Sequence, residues 1–554
     1  MGKDTVVLKK AATYEEIYAS FEWNIPAYFN MGVDVCDKHA DTVPDKPALI
    51  VADPEGKDTT FSFTQLKTLS NQLANLLIAK GVERCDRVGI FLSQSIETAI
   101  SHVAAWKLGA ISVPLFTLFG EDALRFRLRD SGARLLITDI SQLYKLEKIR
   151  NDLPDLKTIL VVGAGKDGTN FLDFWTGMAI AKGEFTPVRT SSEDPAFISY
   201  TSGTTGNPKG ALHAHRTMFG HLTGMEMFHD FFPQPGDRMW TPADWAWVGG
   251  LMNCLMASWH HGVTNVAYRA KKYDPEAALQ LMARYEVRNT FMPPTALNLM
   301  RQVNDIARYR TNLRSVAVAG EPMGAELLEW GRKNFGLTFN EFYGQTECNL
   351  VVSNCQEIMA VKPAHMGRAA PGHRVEIISE KGDLLEPGQE GEMAVLAPDP
   401  VMMLGYWNNR EDTEAKFSNG WWRMGDAAVK DEDGYFRFVG RADDVITTAG
   451  YRVGPGEIED CLTKHPAVSL AAAIGIPDPI RTESIKAFIK LGNGFNGSPD
   501  LEEDIRSFVK TRLSPHEYPR IIEFVSDLPL TATGKIRRKK LRDKERAILA
   551  KQDI

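Results

Sequence analysis

Residues Pro195–Gly210 read PAFISYTSGTTGNPKG. The apolar, strand-like run AFISY gives way to four hydroxyl side chains, Thr201, Ser202, Thr204 and Thr205, set among Gly203, Gly206 and Gly210 around Lys209. Glycine lets a backbone turn its N–H groups to one side, and each hydroxyl adds a donor that asks for an acceptor. The pattern predicts a nest for phosphate oxygens with Lys209 as a point charge. It is not the G-x-x-x-x-G-K-[ST] phosphate loop, because neither Gly203 nor Gly206 has Gly-Lys at the required offset.

Outward from this loop, the strand-like runs PALIVA, RVGIFL, RLLITD and TILVVG (46–162) alternate with the helical patterns TQLKTLSNQLANLLIAKG and SIETAISHVAAWKLGA. The alternation predicts a layered α/β domain with parallel strands. A second such series holds PAFISY, the helix DPEAALQLMARYE and the strand LRSVAVAG. From Val375 to Trp407 short segments with Gly and Pro turns predict a small β subdomain. Beyond DEDGYFRFVGRADDV come helix GPGEIEDCLTKH, strands SLAAAIGI and KAFIKL, helix LEEDIRSFVKTRL and a basic tail, a compact α+β unit. The expected fold class is α/β: a large N-terminal domain (1–440) of layered α/β subdomains plus the β subdomain, a hinge (441–444), and a smaller mobile α+β C-terminal domain (445–554).

The chain of 554 residues is too long for one core, and 44% hydrophobic with 24% charged residues is the composition of a globular protein. A net charge of −7 supplies no basic field for nucleic acid or anionic lipid, which leaves a small-molecule partner. Six cysteines without C-x-x-C spacing argue against a disulfide framework and a zinc site, and fit reduced thiols in a cytoplasmic setting. MGKDTVVLKK lacks the apolar core of a signal peptide, Val6 stands where myristoylation wants Ser or Thr, and no run has the length of a membrane span. His213, His215, His260, His261, His365 and His373 lack metal-ligand spacing and read as structural; no G-x-S-x-G elbow supports a hydrolase.

Five more segments follow the loop in order: AGEPM (Ala319–Met323), YGQTE (Tyr343–Glu347), WWRMGD (Trp421–Asp426), GRADDVITTAGYRVGPGEIE (Gly440–Glu459) and TATGKIRR (Thr531–Arg538). With them the sequence resembles the adenylate-forming acyl-CoA synthetase and ligase superfamily over nearly its whole length. YRVGPGEIED and EYPRIIEFVSDLPLTATGKIRRKKLRDKE look closest to the short- and medium-chain branch. The resemblance implies a ligase that joins a carboxylic acid to CoA through an acyl-adenylate, using ATP, Mg2+ and CoA.

It further implies that Thr201, Ser202, Gly203, Thr204, Thr205, Gly206 and Lys209 hold the β- and γ-phosphates, Thr346 the α-phosphate, and Glu347 the Mg2+. Tyr343 offers a flat face for adenine beside the Gly320, Glu321, Pro322 backbone; Asp426 takes the ribose hydroxyls, with Arg441 and Arg452 completing the nucleotide contacts. Lys535 is the catalytic lysine, Asp443 the hinge, and Gly450 the point where the CoA thiol passes, next to Tyr451. Arg481, Arg520 and the run Arg537, Arg538, Lys539, Lys540 are candidates for the CoA 3′-phosphate; locally that run also reads as a solvated face.

TPADWAWVGGLMNCLM places Trp245, Trp247, Met252 and Met256 after a strand; by resemblance it lines the acyl site, with Trp247 the better candidate. Acetyl-CoA synthetases carry a tryptophan where this chain has Gly344, so Gly344 implies room for an acid longer than acetate, short- to medium-chain or compact aromatic. Two rivals stay open from sequence: an adenylation enzyme loading a carrier protein in trans, and a non-catalytic nucleotide-binding paralogue, against which Lys535 and Glu347 both stand. Oligomeric state is open, a homodimer included.

Overall fold

The alternating runs build two sheets with parallel centres and antiparallel edges. The structure is a computed structural model that describes residues 6–552 except 54, 202–207, 271, 442–443, 445, 449–450, 479–481, 513–517 and 532–533; of 441, 447, 451, 452, 457, 482 and 549–552 it describes the backbone alone. The first sheet has eight strands, with Arg87–Phe91, Ile111–Pro114, Leu135–Asp139, Thr158–Val162 and Pro195–Thr201 in parallel at its centre. Lys209–Ala214 returns antiparallel to Pro195–Thr201, with Thr201 opposite Lys209. The phosphate-loop sequence therefore joins two antiparallel strands, unlike a phosphate loop that opens a helix.

The second sheet has nine strands, centred on the parallel set Pro47–Ala52, Thr264–Tyr268, Arg238–Trp240, Asn289–Met292, Ser315–Val318 and Asn340–Tyr343. This corrects one expectation: PALIVA belongs here, paired with Thr264–Tyr268, and not with the strands that follow it in sequence. A continuous apolar run signals a strand covered on both faces, but not the sheet that receives it. Helix Phe63–Ala79, started by a capping box between Ser62 and Gln65, packs with Ile96–Leu108 in a cluster that takes Leu49 from one sheet and Val88, Ile90 and Phe197 from the other. The two sheets thus share a core, and the C-terminal ends of their parallel strands frame the site.

The β subdomain is a five-stranded sheet of Val375–Ile378, Glu390–Leu396, Trp421–Lys430, Phe417–Ser418 and Phe436–Arg441. It runs past Trp407 to Arg441, and Gly405–Tyr406 leaves it to pair with Lys209–Ala214 in the first sheet. A separate five-stranded sheet, from Ile446–Thr448 to Ile521–Phe524, carries helices Pro455–Thr463, Pro499–Lys510 and Arg538–Gln552. Among the described residues its apolar clusters draw on positions between Ile446 and Leu541. All six cysteines are free, and no helix among the described residues is long and apolar enough to cross a membrane.

The C-terminal module meets the β subdomain closely at one backbone position. A Cβ on Gly454 would lie 1.9 Å from the Val439 carbonyl oxygen in strand Phe436–Arg441, a distance no side chain tolerates. Gly454→Ala is expected to destabilise this docking by about 1–3 kcal/mol. Urea unfolding of wild type and variant measures it, and coincident midpoints would contradict the packing.

Candidate active site

The base of the phosphate-loop hairpin is held from two directions. The Tyr200 ring lies against Gly210, and its hydroxyl donates to Asp130 Oδ2 at 2.7 Å. Burial first, and then Asp130, pushes the Tyr200 phenol well above its usual range, so it stays a donor. On the open edge the amide of Trp407 donates to Gly210 O at 2.7 Å and that of Leu404 to Leu212 O at 2.7 Å. Thr201 ends one strand and Lys209 begins the other; Ser202, Gly203, Thr204, Thr205 and Gly206 lie outside the described residues.

The YGQTE turn leaves the C-terminal end of strand Asn340–Tyr343. Its Tyr343 hydroxyl donates to Asp426 Oδ2, and Gln345 Nε2 donates to the same oxygen at 2.6 Å and to Met424 O at 2.6 Å. The segments read as adenine and ribose binding are thereby tied into one half-buried knot across two sheets, with Asp426 itself only 4% exposed. Thr346 and Glu347 follow directly on the same turn. Gln345 had no role in the sequence reading, since an amide between a tyrosine and a threonine carries no pattern of its own.

Glu347 is held by residues 403–406, which carry no motif of their own. Met403 N donates to Glu347 O at 2.9 Å, and the Tyr406 hydroxyl donates to Glu347 Oε1 at 2.7 Å. The Tyr406 ring faces Lys209, whose Nζ lies 5.2 Å from the ring centroid and 2.6 Å from Asp412 Oδ2. Asp412 stands in the first turn of helix Arg410–Glu414, where the Asn409 side chain caps its N–H at 3.0 Å and donates to Asp412 Oδ2 at 2.7 Å. Asn followed three residues later by Asp before a short helix is a readable cap signal. The two-residue strand that brings Tyr406 into place has no periodicity to read.

Ala319–Met323 follows strand Ser315–Val318; Thr295 Oγ1 donates to both oxygens of Glu321 at 3.0 and 2.8 Å, and Pro322 is exposed. The partly buried Trp247 ring stands 5.8 Å from that of Phe291 and closes on Gly320, where a Cβ would sit 3.2 Å from its edge. Trp245, Met252 and Met256 are core residues. Gly344 requires a correction of reason: a Cβ there would lie 2.0 Å from the Leu350 amide nitrogen. The space a side chain would need is filled by backbone of the same loop, so Gly344 marks a close approach and no open pocket.

In the C-terminal module Lys535 is exposed on the turn closed by Thr531 N to Lys535 O at 2.8 Å and Lys535 N to Thr531 Oγ1 at 3.0 Å. Arg538 is not part of a solvated face: it pairs with Glu459 through Nε at 2.9 Å and with Asp444, which also takes Arg542. Internal pairing removes Arg538 from the candidates for a CoA phosphate, while Arg537, Lys539 and Lys540 are exposed. Arg520 Nη1 donates to the Tyr518 hydroxyl at 2.9 Å. Asp443, Gly450 and Arg481 lie outside the described residues, and so do the side chains of Arg441, Tyr451 and Arg452, whose backbones are in strands. His213, His215, His260, His261 and His373 are buried in the fold, and burial drives the His213 imidazole down to about 3.

This geometry matches known proteins. Residues 36–407 fit the sequence profile of the AMP-binding enzyme family, and residues 457–535 that of the AMP-binding enzyme C-terminal domain. The acetyl-coenzyme A synthetase of Bacillus subtilis (strain 168) is 37% identical over 549 residues, 96% of this chain and 94% of that protein. Human mitochondrial acyl-coenzyme A synthetase ACSM2B is 34% identical, covering 95% of this chain and 93% of its own. Among solved structures, an anthranilate CoA ligase, AuaEII, in complex with anthranoyl-AMP aligns with a TM-score of 0.85 at 28% identity, over 95% of this chain and 99% of that one. The chain belongs to the AMP-binding enzyme family and is an ATP-binding ligase that forms acyl-CoA.

Proposed function

We propose that this ligase activates a short- to medium-chain aliphatic or compact aromatic carboxylic acid, by attack of its carboxylate on the ATP α-phosphorus. Pyrophosphate leaves, and the acyl-adenylate is then opened by the CoA thiol, releasing AMP. The observation that carries the reading is the Tyr343–Gln345–Asp426 knot, which sets an aromatic face and a buried carboxylate side by side, with Thr346 and Glu347 next in sequence. A carboxylate is the acceptor that two ribose hydroxyls require. The name of the anthranilate ligase supports a compact aromatic acid and that of the human relative an acyl group of unstated length; that of the Bacillus relative favours acetate, a rival for the test below.

Phosphoryl chemistry is mostly positioning and charge neutralisation. Thr201, the loop at 202–206 and Lys209 would receive the β- and γ-phosphates, and Thr346 the α-phosphate. Mg2+ fits the donor set, since Glu347 offers a hard oxygen whose direction Tyr406 fixes. Among the described residues no group of three His, Cys, Asp or Glu side chains makes a cage, so substrate phosphates would complete the metal shell. When bound it supplies neutralisation of phosphate charge. Lys535 would stabilise charge between carboxylate and α-phosphate, and a swing at Asp443 would then bring Gly450 to the thiol path. The cytoplasm is the compartment we propose, on cysteine usage, although the human relative's name is mitochondrial.

Glu347→Gln keeps the shape and the acceptor for Tyr406 but removes the charge, and is expected to slow ATP–pyrophosphate exchange about 100-fold with an unchanged Tm. Exchange near the wild-type rate at saturating ATP and Mg2+ would remove Glu347 from the metal site.

Lys535→Ala is expected to abolish adenylate formation while still converting supplied acyl-adenylate and CoA to thioester; Gly450→Leu should do the reverse. Each half-reaction assayed separately on purified variants reads this directly. Equal loss of both steps in both variants would sink the two-pose mechanism.

Acids of about four to ten carbons, or compact aromatic acids, should outrank acetate in kcat/KM, with each buried CH2 adding about 0.8 kcal/mol. Trp247→Ala, which opens the wall between Phe291 and Gly320, should move the optimum to longer acids. A wild-type preference for acetate, or an unmoved profile in the variant, would overturn the assignment.

A further inference from the structure

Lys209 is engaged before any phosphate reaches it. Its ammonium meets Asp412 Oδ2 at 2.6 Å and lies over the Tyr406 ring, while the hydroxyl of the same tyrosine holds Glu347. One tyrosine therefore separates the cation meant for phosphate from the carboxylate meant for metal, and without it the two opposite charges could pair with each other. Asp412 is itself built in: capped at its N–H by Asn409 and hydrogen-bonded by the Asn409 amide, with Tyr406 N in turn donating to Thr413 Oγ1 at 2.8 Å.

Lys209 and Asp412 are 26% and 40% exposed, so their pair is screened by water and worth little net free energy. Lys209 holds the Asp412 carboxyl below its usual range, which keeps the pair charged at neutral pH. A weak, half-exposed pair is one that a polyphosphate, with several negative charges, can displace.

We propose that Asp412 is the resting counter-ion of Lys209, exchanged for the ATP polyphosphate on binding, and that Tyr406 is the positioning residue that keeps Lys209 and Glu347 apart and aimed. The proposal rests on the ATP reading above and goes beyond it: Asp412 sets the nucleotide affinity by competing for the lysine, and touches no substrate itself. In the exchange the lysine trades one carboxylate for phosphate oxygens, and Asp412 keeps its contacts to Asn409.

Calorimetric titration of ATP into the full-length protein, in EDTA and then in excess Mg2+, tests this. Asp412→Asn is isosteric and preserves the contacts with Asn409; it should tighten metal-free ATP binding about two- to fivefold. The gain should vanish in a Lys209→Met background, because the competitor then has nothing to hold. Asp412→Ala should change in the same direction as Asp412→Asn, which separates loss of charge from local rearrangement. Tyr406→Phe, which keeps the ring and deletes the hydroxyl, should cut the tightening conferred by Mg2+ about tenfold.

Unchanged or weaker metal-free binding in Asp412→Asn, an equal gain in the Lys209→Met background, or full Mg2+ tightening in Tyr406→Phe would overturn the proposal. Wild type that fails to bind ATP at all would instead bring down the nucleotide reading itself.

Discussion

The backbone of residues 403–407 donates both to the YGQTE turn and to the hairpin that carries Lys209: Met403 N to Glu347 O, Leu404 N to Leu212 O and Trp407 N to Gly210 O. Without these bonds the edge strand of the hairpin at Lys209–Ala214 would present unpaired groups, and the YGQTE turn would lose its backbone link to residues 403–407. The side chains depend on the same stitch, because Tyr406 reaches Glu347 and Lys209 only while its backbone is paired opposite Ala211. A polyanion needs cationic and metal-binding groups at a fixed separation. Under the proposed assignment, a short segment running from the β subdomain back to the first sheet sets that separation between Lys209 and Glu347.

Rigid and exchangeable contacts divide along burial. Asp426 is buried and takes donors from Tyr343 and Gln345, so its position belongs to the fold. The Lys209–Asp412 pair is half exposed, so its partner can change. The same division holds in the C-terminal module, where Glu459 is buried and pairs with Arg538 while Lys535 is exposed on its turn. Asp444, the last residue of the expected hinge (441–444), is tied to Arg538 and Arg542 of the module that carries Lys535.

The α/β character, the helices Phe63–Ala79 and Ile96–Leu108, and the strand before the phosphate loop were legible because apolar periodicity and capping act within one segment. Pro47–Ala52 went to the wrong sheet, because pairing across more than two hundred residues leaves no local mark. Gly344 was read for the side chain it lacks, when the Leu350 backbone passing at contact distance is what excludes one. Arg538 looked like its basic neighbours until Glu459 and Asp444 were seen opposite it. Tyr406 and Asp412 were illegible for the same reason: their meaning lies in Glu347 and Lys209, brought near by folding alone.

Hydrogen exchange across residues 399–413 in the nucleotide-free protein tests the stitch most directly. The account predicts that the amides of Met403, Leu404 and Trp407 exchange as slowly as those of strand Lys209–Ala214, to which two of the three donate. Exchange of these three amides at the rate of an unstructured chain, with the hairpin protected, would show that the segment does not hold the site together.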